Sequence, residues 1–409
     1  MELRLLRSNS LRALAIVYVL IAAAFVFVVQ AQPASAQAQR TELVVGLQND
    51  MTSMNYFDPA TNTVWKFYMV AWGFESLLFH DPSFQSFPFL ADPAYGGGTG
   101  YTIDATGLNV TVQIRSGVTF HNGDPMTVDD VVFTYQTLAW STYSIYITDA
   151  LWWDTAKYPL WNSTTYGGTC TLGGQPCLSH VGVEKGTQPN QVVFHLTKPY
   201  ALFFYLTMEI PIIPKNVWKN HIDPTPQVDP LNPSNVVTDS YDRSIDFGYG
   251  TQPGQYDATI GTGMFKFDYW RRQQESHVSY YTGYWGTTAS HTWQGVEYPF
   301  KPRYLQSIKF VIYTSLDVIS LALQKGEIDT LIWSLTPGFL TQVRSNPAIS
   351  VEQVTDAGYF YIAFNLRKYP WSNLTLRQAI SMAIDKDYIV KTLMGGFGIK
   401  GTVPIAITN

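Results

Sequence analysis

The chain has 409 residues (46.0 kDa), of which 46% are hydrophobic, 15% aromatic and only 14% charged, with a net charge of -5. That hydrophobic content excludes wholesale disorder, and the length suits two or three domains at roughly 100–200 residues each. Without a basic surplus to displace counterions from phosphates, no nucleic acid is expected as a partner, whereas 12 Trp and 26 Tyr suit stacking against peptides or sugars.

The first 36 residues read as an address. Arg4, Arg7 and Arg12 precede an apolar run over 13–29, Pro33 breaks it, and Ala34-Ser35-Ala36 forms an A-x-A cleavage site for a signal peptide. A retained anchor is the alternative, because the run sits at the short limit for a spanning helix. Either reading places the remainder outside the cytoplasm, in the periplasm or at the extracellular cell surface.

A first strand is expected over 41–47, then a turn-rich loop over 49–63. Phe67, Val70, Ala71, Phe74, Leu77 and Leu78 recur at helical spacing and predict a helix over 65–78. Alternation predicts a strand over 108–114. Thr127 and Asp130 make a capping box ahead of Val131, Val132 and Phe133, so a helix starts there. A loop over 167–174 precedes a strand over 191–196 and an aromatic helix over 199–207. Residues 222–262, rich in Pro, Gly, Asn and Asp, read as a long surface excursion. A hairpin is expected over 263–269 and 275–281. Segments 308–313, 316–325 and 328–332 form a strand–helix–strand unit. A short helix over 340–345, strands over 349–354 and 359–366, and helices over 375–384 and 388–393 complete the chain.

Cys170 and Cys177 bracket the turn-forming Thr-Leu-Gly-Gly-Gln-Pro. In an oxidising compartment two such neighbours form a local disulfide most simply, and no His or second Cys pair lies nearby at zinc spacing, so no metal is expected. Sequons occur at Asn109, Asn162 and Asn373. The sequence has no H-E-x-x-H, G-x-S-x-G, P-loop or dinucleotide fingerprint. Asp129 and Asp130 are adjacent, so on a helix they point about 100° apart and make no two-carboxylate site. No enzyme activity and no cofactor are expected. A secreted glycosidase, with two acids on separate strand ends beside an aromatic cleft, is the distant rival.

Residues 110–135 read VTVQIRSGVTFHNGDPMTVDDVVFTY. The pattern of Arg115, Gly117, Val118, Phe120, His121, Gly123, Pro125, Thr127, Asp130 and Val131 resembles the signature of family 5 extracellular solute-binding proteins, the oligopeptide- and dipeptide-binding group of ABC importers. Three further blocks resemble that family in order: Gly261-Thr262-Gly263-Met264-Phe265, with Met264 in place of the usual proline or alanine; the LQKGEID of 323–329; and Arg377-Gln378-Ala379-Ile380 with Ala383-Ile384-Asp385-Lys386. Within them His121, Asp130, Glu327 and Asp329 read as structural groups.

The resemblance implies an α/β fold, the periplasmic-binding-protein type II-like two-lobe fold with an extra small insert domain and an incomplete second large lobe. The first lobe would comprise 41–78 and 209–334, the insert domain 79–208, and the start of the second lobe 335–409. It implies a monomeric extracytoplasmic receptor that closes on a ligand by hinge motion and delivers it to membrane permease subunits of an ABC transporter. Alignment places Val64 or Trp65 at the ligand backbone. Tyr359 and Tyr361 fall on an aromatic stretch lining a side-chain pocket, and Tyr143, Tyr146, Trp152 and Trp153 are candidates in the insert domain. For each of these aromatics plain core packing is the competing role. Peptides are the expected ligand, with a β-linked oligosaccharide as the alternative and nickel or a metal chelate third.

Overall fold

The computed structural model describes residues 40–58, 63–138, 171–172, 175–176, 182–196, 199–200, 202–223, 227–229, 232–237, 244–245, 248–331, 337–352 and 360–401. The signal segment, Cys170 and Cys177 lie outside these residues.

In chain order the labelled elements are strand β1 (Glu42–Leu47), helix α1 (Val64–Val70), strands β2 (Tyr101–Ile103) and β3 (Asn109–Gln113), helix α2 (Val128–Leu138), strands β4 (Val183–Lys185) and β5 (Gln191–His195), strands β6 (Phe265–Arg271), β7 (Glu275–Tyr280) and β8 (Ser307–Ile312), helix α3 (Leu316–Lys325), strand β9 (Thr330–Leu331), and helices α4 (Pro337–Arg344) and α5 (Leu374–Ala383). Two sheets organise them. The larger has the order β6-β7-β8-β1-β9, and the smaller β2-β3-β5-β4.

In the larger sheet β1 lies parallel to both β8 and β9, with Val45 facing Phe310 on one side and Thr330 on the other. The β8–α3–β9 unit thus straddles β1, the crossover that parallel strands require. Helix α3 is delimited by its own sequence. Ser315 Oγ accepts the Val318 N–H, and Gly326 in the left-handed region closes the C-terminus. Strands β6, β7 and β8 are antiparallel, extending the sheet by the expected hairpin. The smaller sheet is antiparallel throughout. Val110 and Val112 of β3, with Val192 and Phe194 of β5, are fully buried while their neighbours are not, the two-residue alternation of a sheet covered on one face. The main hydrophobic core runs from Val45 and Phe310 in one sheet to Val110 and Phe194 in the other, and a smaller cluster gathers Ile319 and Ala322 of α3 with Ile328. Among the described residues no helix is long and apolar enough to cross a membrane.

Three expectations are corrected. The helix expected over 65–78 stops early: α1 gives way to a tight turn over Ala71–Gly73, Phe74 is extended, and Leu78–His80 pairs as a strand with Ser86–Pro88. Phe74, Leu77 and Leu78 are indeed buried. The Phe74 N–H is the last to bond back, to Ala71 O; beyond it the Leu78 N–H donates to Met208 O and the Leu77 carbonyl accepts from Phe89 and Ala91, not from a helical turn. The aromatic helix expected over 199–207 is present but shorter, a single wide π-helical turn over Phe203–Thr207. The strands expected over 349–354 and 359–366 are absent from their described parts, 349–352 and 360–366. Phe360, Tyr361 and Ile362 are strongly exposed there, and a strand forms only where a neighbour satisfies its backbone groups.

Candidate functional site

The segment between β1 and α1 is a loop with an interior of its own. Asp50 accepts from the Trp270 indole at 3.0 and 3.2 Å and from the Gln273 N–H at 2.7 Å. Asn55 Oδ1 accepts the Phe57 N–H at 3.0 Å, and Met54 donates its N–H to Gly250 O at 2.7 Å. Lys66 on α1 is fully buried beneath this loop and donates to Asn55 O at 3.0 Å and Asp58 O at 2.9 Å. Burial lowers its pKa to about 8, against the opposing pull of the Asp58 charge. A buried ammonium survives only where carbonyls satisfy it, so Lys66 rivets the loop to the helix and fixes the residues beside it.

Those neighbours are Val64 and Trp65. Thr63 Oγ1 accepts the Lys66 N–H and starts the helix. Val64 is 43% exposed, and Trp65 is half-buried, packed on the core with its ring edge-on to Tyr68 at 6.4 Å. The structure therefore brings Val64 and Trp65 together on one exposed helical turn. Tyr361 stands on a segment without regular secondary structure and is 73% exposed. Tyr359, Tyr143, Tyr146, Trp152 and Trp153 lie outside the described residues.

The two glycine-rich blocks singled out in the sequence meet at His121. Its Nε2 lies 2.9 Å from Gly263 O, and the Gly261 N–H points at Nδ1 from 3.5 Å. A carbonyl only accepts and an N–H only donates, so this site holds the neutral Nε2–H tautomer. Burial depresses the pKa to about 4. Gly261 and Gly263 are there because backbone passes too close for a side chain: a Cβ on Gly261 would sit 2.0 Å from Gly73 O, and one on Gly263 2.3 Å from Trp72 O. His121 is thus a structural clamp.

Asp130 is structural as well. Its carboxylate accepts from the Thr127 N–H at 2.9 Å and hydroxyl at 2.8 Å, closing the capping box of α2, and from the Lys215 N–H at 2.9 Å.

Glu75 has the properties that flag a functional acid. It is buried, and burial raises its pKa to about 7 despite hydrogen bonds that favour the anion. Thr262 Oγ1 donates to it at 2.9 Å, Tyr284 OH at 2.8 Å and Trp285 Nε1 at 2.7 Å, while the Arg115 guanidinium lies 4.7 Å over the Trp285 ring. Three fixed donors from distant parts of the chain hold the buried carboxylate, so it joins elements rather than serving a ligand. Among the described residues no group of three or more His, Cys, Asp or Glu is arranged to hold a metal ion.

Sequence reading missed Glu75 and Glu209. The signal for Glu209 is a lone acid in the apolar run Leu206-Thr207-Met208-Glu209-Ile210. Glu75, between Phe74 and Ser76, carries no comparable mark.

A sequence profile described as bacterial extracellular solute-binding proteins, family 5 Middle, matches residues 88–408. The dipeptide-binding protein of Escherichia coli (strain K12) is 22% identical over 318 residues, covering 74% of this chain and 48% of that protein. The chain spans about half the length of the curated relatives it matches. Among solved structures, the periplasmic binding protein DppA of Helicobacter pylori in complex with the peptide STSA gives a TM-score of 0.60 at 21% identity, over 90% of this chain and 61% of that one. NikZ of Campylobacter jejuni, in complex with Ni(L-His), gives 0.61 at 19%, over 89% and 57%.

Proposed function

The chain belongs to the bacterial extracellular solute-binding proteins of family 5, and on that premise we propose that it is the peptide-capturing component of an ABC import system. The family match over residues 88–408 carries this reading. Proteins of this family are periplasmic or extracellular binding proteins. In the proposed cycle the lobes close on a peptide, the loaded form docks on permease subunits, and ATP is hydrolysed by a separate subunit inside the cell. No step makes or breaks a covalent bond in the ligand. Peptide is favoured over oligosaccharide or metal chelate because the E. coli relative is a dipeptide-binding protein and the H. pylori structure holds a peptide.

The domain division proposed with it assigns 41–78 and 209–334 to the first lobe, 79–208 to the insert domain and 335–409 to the start of the second lobe. In its support, the five-stranded sheet draws its strands only from 42–47 and 265–331, and the four-stranded sheet only from 101–195. Ligand contacts are proposed at Val64, Trp65 and Tyr361, with Tyr359, Tyr143, Tyr146, Trp152 and Trp153 as further candidates. The exposed first turn of α1, held by Lys66, supports the first two. A rigid backbone presenting a half-exposed Trp suits a binding aromatic, which then loses little entropy on contact.

Calorimetric titration with a peptide series tests the assignment. Trp65→Ala and Tyr361→Ala should each weaken binding by about 1–3 kcal/mol. Because Tyr361 is 73% exposed, its replacement should leave the melting temperature of the ligand-free protein unchanged. Unaltered affinity together with an early melt would show that these rings serve packing.

A further inference from the structure

Between the loop that precedes α1 and the turn after β5 lies a cavity of about 230 Å³. Its described lining is Tyr56, Phe57, Leu138, Tyr205, Leu206, Glu209, Ile210 and Pro211, drawn from the loop before α1, the end of α2 and the turn after β5. Tyr56 also packs edge-on against Phe67 of α1 at 5.1 Å. Glu209 is the one charged residue among the described lining residues.

Glu209 is largely enclosed, its side chain 14% exposed. Among the described residues one group hydrogen-bonds its carboxylate: His80 Nδ1 lies 2.8 Å from Oε1 and 2.9 Å from Oε2. A carboxylate has about four acceptor positions, and a single N–H shared between two oxygens leaves acceptor capacity over. Burial holds this carboxyl above the ordinary carboxylate range, against the pull of His80.

His80 is in turn fixed by rings. Phe84 stacks on it at 5.4 Å with 9° between planes, Phe79 at 5.3 Å, and Tyr205 leans on it at 4.8 Å. Phe84 holds a left-handed backbone (φ 58°), a conformation that a bulky residue adopts only when its surroundings impose it. Asp81 imposes it: Oδ1 accepts the N–H groups of Ser83 and Gln85, and its carbonyl accepts that of Phe84.

The geometry therefore presents an acid with spare acceptor capacity at the wall of a cavity whose other described lining residues are aromatic and aliphatic. An anion would meet like charge. A neutral apolar ligand would leave the acid desolvated without a new partner, which is costly. A cation gains twice, from the carboxylate and from the negative faces of the tyrosine and phenylalanine rings. The space exceeds the roughly 150 Å³ that suffices to take up benzene, so an aryl group fits beside the charge. We propose that this cavity is a binding subsite for a primary arylalkylammonium group, with the ring among Tyr56, Phe57 and Tyr205 and the ammonium on Glu209. The inference is independent of peptide capture, because none of Val64, Trp65 and Tyr361 is among the described lining residues of this cavity.

Calorimetry on the full chain at neutral pH tests it with three probes of one frame: phenethylammonium, the neutral 2-phenylethanol and the anionic 3-phenylpropanoate. The cation should bind at least about tenfold more tightly than the alcohol, and the anion should give no binding heat. Glu209→Gln should bring cation and alcohol within about twofold of each other. Leu206→Trp, which fills the cavity, should remove both. Equal affinity for cation and alcohol in the unaltered protein overturns the proposal without reference to any variant, as does the absence of binding by either. A preference that survives in Glu209→Gln overturns it too.

Discussion

Glu75→Gln isolates the cost of a buried ionisable group. The carboxyl is enclosed by Thr262, Tyr284 and Trp285, and burial raises its pKa from 4.5 to about 7. Below about pH 4.5 the acid is neutral in both folded and unfolded chains, and its contribution to stability is fully present. As pH rises, the unfolded chain ionises first and is favoured, until the folded carboxyl also ionises near pH 7. The gap between those two values, at about 1.4 kcal/mol per pH unit, amounts to about 3 kcal/mol of stability lost by the alkaline side. Glutamine keeps the shape and stays neutral. Its oxygen can accept from Thr262 and Trp285, which share Oε2, while its amide faces the Tyr284 hydroxyl, which can turn to accept. Urea unfolding of both proteins at about pH 5 and about pH 8 gives the readout. His121 tilts stability the opposite way, so the quantity to follow is the difference between variant and parent, in which all other groups cancel. Relative to the parent, Glu75→Gln should gain about 2–3 kcal/mol between the two pH values. A difference that does not change with pH would refute the reasoning.

Replacing His121 by Gln should remove an acid sensitivity. Its pKa is depressed from 6.5 to about 4, so its contribution is present above pH 6.5 and is lost as pH falls through 4. The parent should lose about 3 kcal/mol more than the variant between pH 7 and pH 4, read by denaturant melts. Gly261→Ala drives a Cβ to within 2.0 Å of Gly73 O and should cost more than about 4 kcal/mol or abolish folding, whereas Gly338→Ala in α4 meets nothing within 4 Å and should be neutral or stabilising by up to about 1 kcal/mol, both seen in melting temperatures. Thr171–Leu172 pairs with Gln175–Pro176 as a minimal antiparallel ladder between Cys170 and Cys177. Mass spectrometry of the non-reduced exported protein should therefore show the two cysteines joined, and two free thiols would contradict it.

What the sequence could and could not reveal follows from the range of the forces. The start of α2 was legible because Thr127 and Asp130 settle it between themselves. The strand–helix–strand unit around α3 was legible because Ser315 and Gly326 punctuate it locally. The end of α1 was not, because the Gly73 carbonyl is taken by the N–H of Gly263, far along the chain. Periodic apolar residues therefore look helical, although Leu77 is buried in a bend and Leu78 in a strand. A strand is expected over 359–366, but the described residues there have no strand beside them to complete a ladder. Of the candidate site, Val64 and Trp65 followed from alignment and stand on an exposed turn. Lys66, which rivets that turn, shows nothing in the sequence to mark it as buried, since a lysine beside a tryptophan looks like any surface helix. Glu75 is hidden for the same reason: its three partners converge only in the fold.

The most direct test of the proposed function is native mass spectrometry of the protein recovered from its own cells, with any retained ligand identified after release. The account predicts adducts whose masses and fragmentation are those of peptides, lost or reduced in Trp65→Ala and Tyr361→Ala. Retained oligosaccharide or metal chelate in place of peptide would contradict it, as would a protein that carries no ligand and stays bare when titrated with a broad peptide mixture.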